Sequence, residues 1–301
     1  MLSFILWNPN LTLCEFGPFA IRWYSTCWLI GLLIAYLLVK YLYRQQKLGD
    51  EKFEPLFLYC FLGILVGARL GHCIFYEPQY FLSSGTHIIE MLLPIRYVGD
   101  EQALFGIFTG WHFTGYEGLA SHGGTIGIIL ALLIYCRTMK MKVMTVLDTI
   151  SIAVPTTCTF IRLGNLMNSE IIGRPTDVPW AFIFERVDNL PRHPGQLYEA
   201  IAYACFFIVM WYIYRHNDGK AAAKPATKPA TAPSAPKRLI GTGFYFGLDI
   251  LLIFTFRFFI EYTKEVQEAF EQGLPFDMGQ ILSVPFIILG AYFTWRGYNK
   301  K

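Results

Sequence analysis

Arg162, Asn165, Asn168 and Glu170 stand close together in the run Arg-Leu-Gly-Asn-Leu-Met-Asn-Ser-Glu-Ile-Ile-Gly, which ends at Gly173 and lies between two long apolar stretches. Polar groups so placed cost free energy unless they pair with one another or serve a site. The guanidinium of Arg162 offers a planar fork of donors that suits a phosphate. The competing reading is structural: Arg162 reaches toward the membrane interface and pairs with Glu170. At about 100° per residue, Arg162, Asn165, Glu170 and Gly173 share one helical face and Asn168 does not. The two glycines loosen that helix, so the stretch reads as a helix end turning into a loop.

Other groups could join it. His122, in Ser121-His122-Gly123-Gly124, is the side chain best suited to exchange a proton near neutral pH, or an interfacial histidine beside packing glycines that let a lipid or a backbone approach. Arg257 and Glu261, an i, i+4 pair, are either a structural ion pair or the second arm of a two-arginine phosphate clamp. The run from Arg192 to Glu199 puts Gln196, Tyr198 and Glu199 at a helix start; Pro194 and Gly195 there form a turn, and His193 reads equally well as part of that turn. Gly67-Ala-Arg69-Leu-Gly71 reads as a small-residue helix contact around an arginine that needs a partner such as Asp148 or Glu199. Tyr24 is an interfacial anchor or a lining of the site. The sequence carries no metal-ligand spacing, phosphate loop or dinucleotide fingerprint, so neither a metal nor a cofactor is expected.

The elements that must position these groups are membrane spans. Of the 301 residues 54% are hydrophobic and only 16% charged, against about a quarter charged in soluble domains. The net charge of +3 is too small to point to nucleic acid. The seven cysteines are scattered through apolar runs and read as packing residues. Apolar runs mark seven spans, at about Ile21–Val39, Pro55–Tyr76, Gly123–Tyr135, Val143–Ile161 (bent near Pro155), Gln196–Tyr214, Leu239–Ile260 and Met278–Thr294, each near the length a bilayer needs. Met1 to Phe19 and the aromatic group Trp111, His112, Phe113 and Tyr116 read as interfacial. The Ala/Lys/Pro-rich tract at about 216–238 has the composition of a disordered loop.

The loops after spans one, three and five, with the C-terminal tail, carry sixteen Lys and Arg, against six in the opposite loops. The positive-inside rule then places the N-terminus outside and the C-terminus in the cytoplasm. The expected fold is an all-α polytopic membrane protein, a single domain over 1–301 with interfacial outer loops. His122, the 162–195 region and Glu261 fall on its outer side.

The pattern Arg162-x-Gly164-Asn165-x-x-Asn168-x-Glu170-x-x-Gly173 resembles the signature of the bacterial prolipoprotein diacylglyceryl transferases. Arg22-Trp-Tyr24, Gly67-x-Arg69-x-Gly71, His122-Gly-Gly, Arg192-His-Pro-Gly-Gln-Leu-Tyr-Glu199, Arg257-x-x-x-Glu261 and Gly279-Gln-x-x-Ser283 recur in the family's order. The resemblance implies transfer of the diacylglyceryl group of phosphatidylglycerol to the thiol of a lipobox cysteine in a prolipoprotein signal peptide. A thioether forms and glycerol 1-phosphate leaves, at the outer leaflet of the bacterial inner membrane. By the same resemblance Arg162 binds the lipid phosphate, Arg257 holds it or steadies the departing phosphate, and His122 is the candidate base. Glu261 orients Arg257. Asn165, Asn168, Glu170 and Gly173 shape the pocket, and Tyr24 lines it.

The chain departs from the family pattern at Leu166, where Phe is frequent, and at Ile253, where many members carry a tyrosine. The 220–238 tract is no part of the family core. The alternative reading, a transporter or channel for a small anionic solute, predicts internal repeats and charges spread through the bilayer depth; the sequence has no convincing repeat, and its polar residues gather toward one face.

Overall fold

The computed structural model describes residues 4–16, 19–99, 103–104, 108–113, 118–219, 238–265 and 276–300. Ten α-helices are described: α1 (Trp23–Gln45), α2 (Asp50–Phe75), α3 (Pro78–Phe81), α4 (Gly85–Leu92), α5 (Ser121–Thr138), α6 (Val143–Ser151), α7 (Val154–Asn168), α8 (Gly195–Tyr214), α9 (Phe244–Ile260) and α10 (Met278–Asn299). Helices α1, α2 and α10, and α8 with the π-helical turn Arg215–Gly219 that extends it, are long and apolar enough to cross a membrane. The pair α6 and α7 makes a fifth span if its two halves count as one; they meet at 43°, with Pro155 in the first turn of α7.

The helical expectation holds, but the chain is not all-α. Short strands stand where it leaves its helices and the backbone needs new partners. Strand Ile5–Trp7 pairs in parallel with Phe182–Phe184, which pairs antiparallel with Pro191–Arg192. A hairpin of Thr12–Phe16 and Phe19–Arg22 feeds α1, and Ile95–Tyr97 pairs with Trp111–Phe113. Of the tract expected to be disordered, residues 216–219 belong to the π-helical turn; 220–237 lie outside the described residues, as does Tyr116.

The chain divides into two compact units, Gly49–Val143 and, together, Met1–Leu48 with Met144–Lys301. In the first, α2 and α5 touch backbone to backbone. Gly63, Gly67 and Gly71 recur one turn apart on α2 and face Gly123 and Gly127 of α5. A Cβ on Gly67 would fall 2.5 Å from the Gly123 carbonyl oxygen, and one on Gly127 would fall 2.1 Å from that of Gly63. The space beside Gly123 is thus filled by a neighbouring helix, which is how small-residue stripes bring helices together in lipid. Arg69, expected to pair with Asp148 or Glu199, instead donates from Nη2 to the Glu90 carbonyl at 2.9 Å and stacks 4.9 Å from the Phe81 ring centroid. The reason is local: the segment after α2 folds back through α3 and α4. The buried Glu90 carboxylate fastens it there, accepting from Tyr80 Oη at 2.8 Å and Tyr97 N–H at 2.9 Å.

In the second unit, α9 starts at Phe244, five residues later than the apolar run suggested. Its N-cap is Gly243, which has no side chain to cap with. Asp148 of α6 caps it from outside: Oδ2 accepts the N–H of Gly241 at 2.8 Å and of Gly243 at 2.9 Å, and Oδ1 that of Phe246 at 3.0 Å. Asp218 does the same for Leu239 and Ile240 and also accepts from Tyr245 Oη at 2.8 Å. Both carboxylates lie at the positive end of the helix. Helices α9 and α10 approach through Gly247, Gly290 and Gly297, where a Cβ would meet the facing backbone at 2.4 to 2.7 Å.

Candidate active site

Helix α7 carries Arg162 and ends at Asn168 because Ser169 turns left-handed, at φ 57° and ψ 37°. That reversal brings Glu170 back over the last turn of the helix. One of its oxygens accepts from Asn165 Nδ2 and the other from Asn168 Nδ2, both at 3.0 Å. Asn168, off the common face by helical geometry, therefore joins the group, since Glu170 is no longer on the helix. Nη1 of Arg162 donates to Asn165 Oδ1 at 3.2 Å.

The acid beside Arg162 is Glu199, not Glu170. Arg162 Nε lies 2.9 Å from Glu199 Oε2, an ion pair whose N–H directions miss hydrogen-bond alignment. Glu199 stands in the first turns of α8, whose start is drawn against α7 by Gln196 donating to the Glu170 carbonyl. Its other oxygen, Oε1, is 3.2 Å from Lys264 Nζ, which is also 3.4 Å from Glu261 Oε1. Arg257 Nε completes the series, 3.6 Å from that same Glu261 oxygen.

Five charges thus alternate, Arg162, Glu199, Lys264, Glu261 and Arg257. Their side chains run from 1% exposed at Glu199 to 43% at Arg257. Asn165, bonded to both Arg162 and Glu170, ties a third carboxylate to these three cations. The guanidinium at the most exposed end of the series, that of Arg257, offers a fork of donors that suits a phosphate.

Gly173 has a defined task. A Cβ there would fall 2.4 Å from the His193 carbonyl oxygen and 2.8 Å from that of Thr263. Gly173 forms an isolated β-bridge with Lys264, and Arg174 N–H donates to the Thr263 carbonyl at 2.8 Å. The glycine lets the 3₁₀ turn Glu261–Thr263 after α9 press against the 193 segment, which delivers Lys264 to Glu199. Arg192, also buried, ties the same corner. It donates to the Gly173 carbonyl at 3.1 Å, to Glu265 at 2.9 Å and to Asp188 at 2.6 Å. The Asp188 pair lies outside the spans; its hydrogen bond to Arg192 holds the Asp188 carboxyl below the usual carboxylate range. Glu261 packs on Gly279, where a Cβ would stand 2.5 Å from its Oε1. The Tyr24 ring packs on Gly164 at a separation that leaves a Cβ only 3.0 Å.

Of the residues picked from sequence, Tyr24, Arg162, Asn165, Asn168, Glu170, Gly173, Arg257 and Glu261 all belong to one unit. His122 belongs to the other, at the exposed first turn of α5. Sequence reasoning missed Lys264 and gave Glu199 no place at Arg162. Lys264 follows Glu261 by three residues, so extending the Arg257–Glu261 ladder by one helical step finds it.

These features define a mostly helical, multi-pass membrane protein with an alternating charge array at its helix ends. The chain belongs to the prolipoprotein diacylglyceryl transferase family, whose model matches residues 11–296. It is 50% identical over 301 residues, covering 100% of this chain and 98% of the relative, to a phosphatidylglycerol–prolipoprotein diacylglyceryl transferase of Bacteroides fragilis. A protein of the same name from Tolumonas auensis is 39% identical over 99% of both chains. One from Porphyromonas gingivalis is 35% identical over 98% of this chain and 95% of its own.

Proposed function

We propose that this chain moves the diacylglyceryl group of phosphatidylglycerol onto the lipobox cysteine of a prolipoprotein signal peptide. The observation that carries the reading is the alternating array that sets Arg162 and Arg257 at its two ends, in a member of this family. Arg162 and Arg257 hold the lipid phosphate. The cysteine thiolate attacks the glyceryl carbon that bears the phosphate ester; a C–S bond forms, the C–O bond breaks, and glycerol 1-phosphate departs with the electron pair. Arg257 steadies that departing anion. His122 accepts the thiol proton, which passes to the leaving phosphate or to water. Asn165 and Asn168 hold the Glu170 carboxylate in place, and Asn165 links it to Arg162. Gly173 holds Lys264 in place, and Tyr24 walls the site on the α1 side. Family membership leaves the transporter or channel reading without support.

The reading includes seven spans, an outer N-terminus and a cytoplasmic C-terminus in the bacterial inner membrane, with the site toward the outer leaflet. This reading takes helices α5 and α9, at 18 and 17 residues, as spans in addition to the four, or with the bent pair five, candidates that are long and apolar enough. The distribution of Lys and Arg supports the orientation.

The test is direct. Purified protein is incubated with phosphatidylglycerol and a lipobox peptide, and glycerol phosphate release and the peptide thioether are followed together. Release without the peptide cysteine, or no release, would overturn the proposal. His122→Asn tests the base, and a reporter fused after residue 225 that reads periplasmic would refute the orientation.

A further inference from the structure

We infer that Lys264 is a positioning residue that sets how strongly Arg162 binds a lipid phosphate, by competing with it for Glu199. The inference rests on the reading of Arg162 and Arg257 as the phosphate-holding groups.

Glu199 is fully buried and has two neighbouring cations, Arg162 on Oε2 and Lys264 on Oε1. A carboxylate shared in this way neutralises neither cation completely. The Arg162 contact is also the less committed of the two: it is an ion pair without an aligned hydrogen bond, whereas Lys264 donates to Oε1. Arg162 is the more exposed partner, at 17% against 7% for Lys264. Arg162 keeps the more exposed charge while Lys264 holds the other oxygen of the acid.

Lys264 has no other evident task in the reaction. Its ammonium is sealed between two carboxylates, and its backbone is held by Gly173 and Arg174. Without Lys264, the whole charge of Glu199 would fall on Arg162. The guanidinium would then be drawn into a closed pair, and an incoming phosphate would have to break that pair to bind. The same loss would leave Glu261 to Arg257 alone, so both arms of the clamp would be masked together.

The full-length protein in detergent micelles with phosphatidylglycerol and a lipobox peptide provides the test, through a double-mutant cycle on Lys264→Met and Glu199→Gln. Lys264→Met should raise KM for phosphatidylglycerol at least tenfold while kcat stays within about threefold. Adding Glu199→Gln removes the competing acid and should bring KM back to within threefold of wild type. Lys264→Arg, which keeps the charge and reaches both acids, should hold KM within threefold and keeps the test open should Lys264→Met fail to fold. Additive effects on KM, a fall in kcat with KM unchanged, or a tenfold rise in KM for Lys264→Arg would each overturn the inference. A purely structural role would lower the folded fraction, and hence apparent kcat, without moving KM. Turnover by the wild type in the same assay separates the two claims: if it is absent the phosphatidylglycerol reading fails, and if it is present with additive variants only the role of Lys264 fails.

Discussion

The Glu199 carboxylate lies 3.2 Å from the Lys264 ammonium, with 1% and 7% of the two side chains exposed. This pair is the inner anchor of the charge array. Removing one member of a buried pair leaves the other charge uncompensated, at a cost of about 3–5 kcal/mol. Glu199→Ala also strands Arg162, so its thermal unfolding midpoint in detergent should fall well below that of the wild type. An unchanged midpoint would mean that water already reaches these charges.

Arg162 should tolerate neither Ala nor Lys. Each charge-assisted hydrogen bond to the phosphate is worth about 1.5–3 kcal/mol, and Ala removes two. Turnover of Arg162→Ala should fall by about a hundredfold or more. Lysine restores the charge but not the fork, so Arg162→Lys should recover only part of the loss. Glycerol phosphate release at saturating peptide measures both.

The α2–α5 contact predicts a stability effect far from the charge array. Gly127→Val places branched carbons where Gly63 backbone now stands. Overpacking of this kind costs about 1–3 kcal/mol, and here neither partner is a flexible side chain. The variant should lose thermal stability, while Gly85→Ala, with nothing within 4 Å of its Cβ position, should not.

Asp148 should matter for folding through its grip on α9. Asp148→Ala orphans three backbone N–H groups at a helix start, and the loss should be on the order of 3 kcal/mol. Asp148→Asn keeps one acceptor oxygen and should cost less. Hydrogen exchange at Gly241, Gly243 and Phe246 would report the change where it happens.

His193 predicts a pH dependence. Burial lowers its pKa below the ordinary value of 6.5. Above that value both folded and unfolded forms are neutral there, and stability is full. As pH falls below about 6.5, the unfolded chain takes up a proton that the folded chain refuses, so stability declines until the lowered folded pKa is passed. His193→Gln, able to keep the contact to Tyr198 Oη now made by Nδ1 at 3.2 Å, should flatten the unfolding midpoint over this range. A slope equal to that of the wild type would assign the effect elsewhere.

Much of this was legible in the residues. Glycine spacing in α2 and around Gly123 announced a close helix contact, because only a missing Cβ permits one. The bend near Pro155 followed from a proline in an apolar run. The partners expected for Arg69 and Arg162 were wrong for different reasons: for Arg162 sequence spacing favours a nearby acid, Glu170, whereas for Arg69 distant acids were named and a nearer segment supplied the contact. Arg69 reaches Glu90 after a chain reversal, and Arg162 reaches Glu199 across the α7–α8 contact. The later start of α9 was hidden for a similar reason, since its cap comes from Asp148, far away in the chain.

By itself the sequence determined that this protein is mostly helical and apolar enough for a membrane, and which polar types gather near Arg162, because hydrophobic length and residue chemistry are local properties. Only the tertiary structure decided that Glu199 and Lys264 stand between the two arginines. Ion pairing acts over a few ångströms, and those distances exist only after the left-handed turn at Ser169 and the close approach at Gly173 have brought three helix ends together.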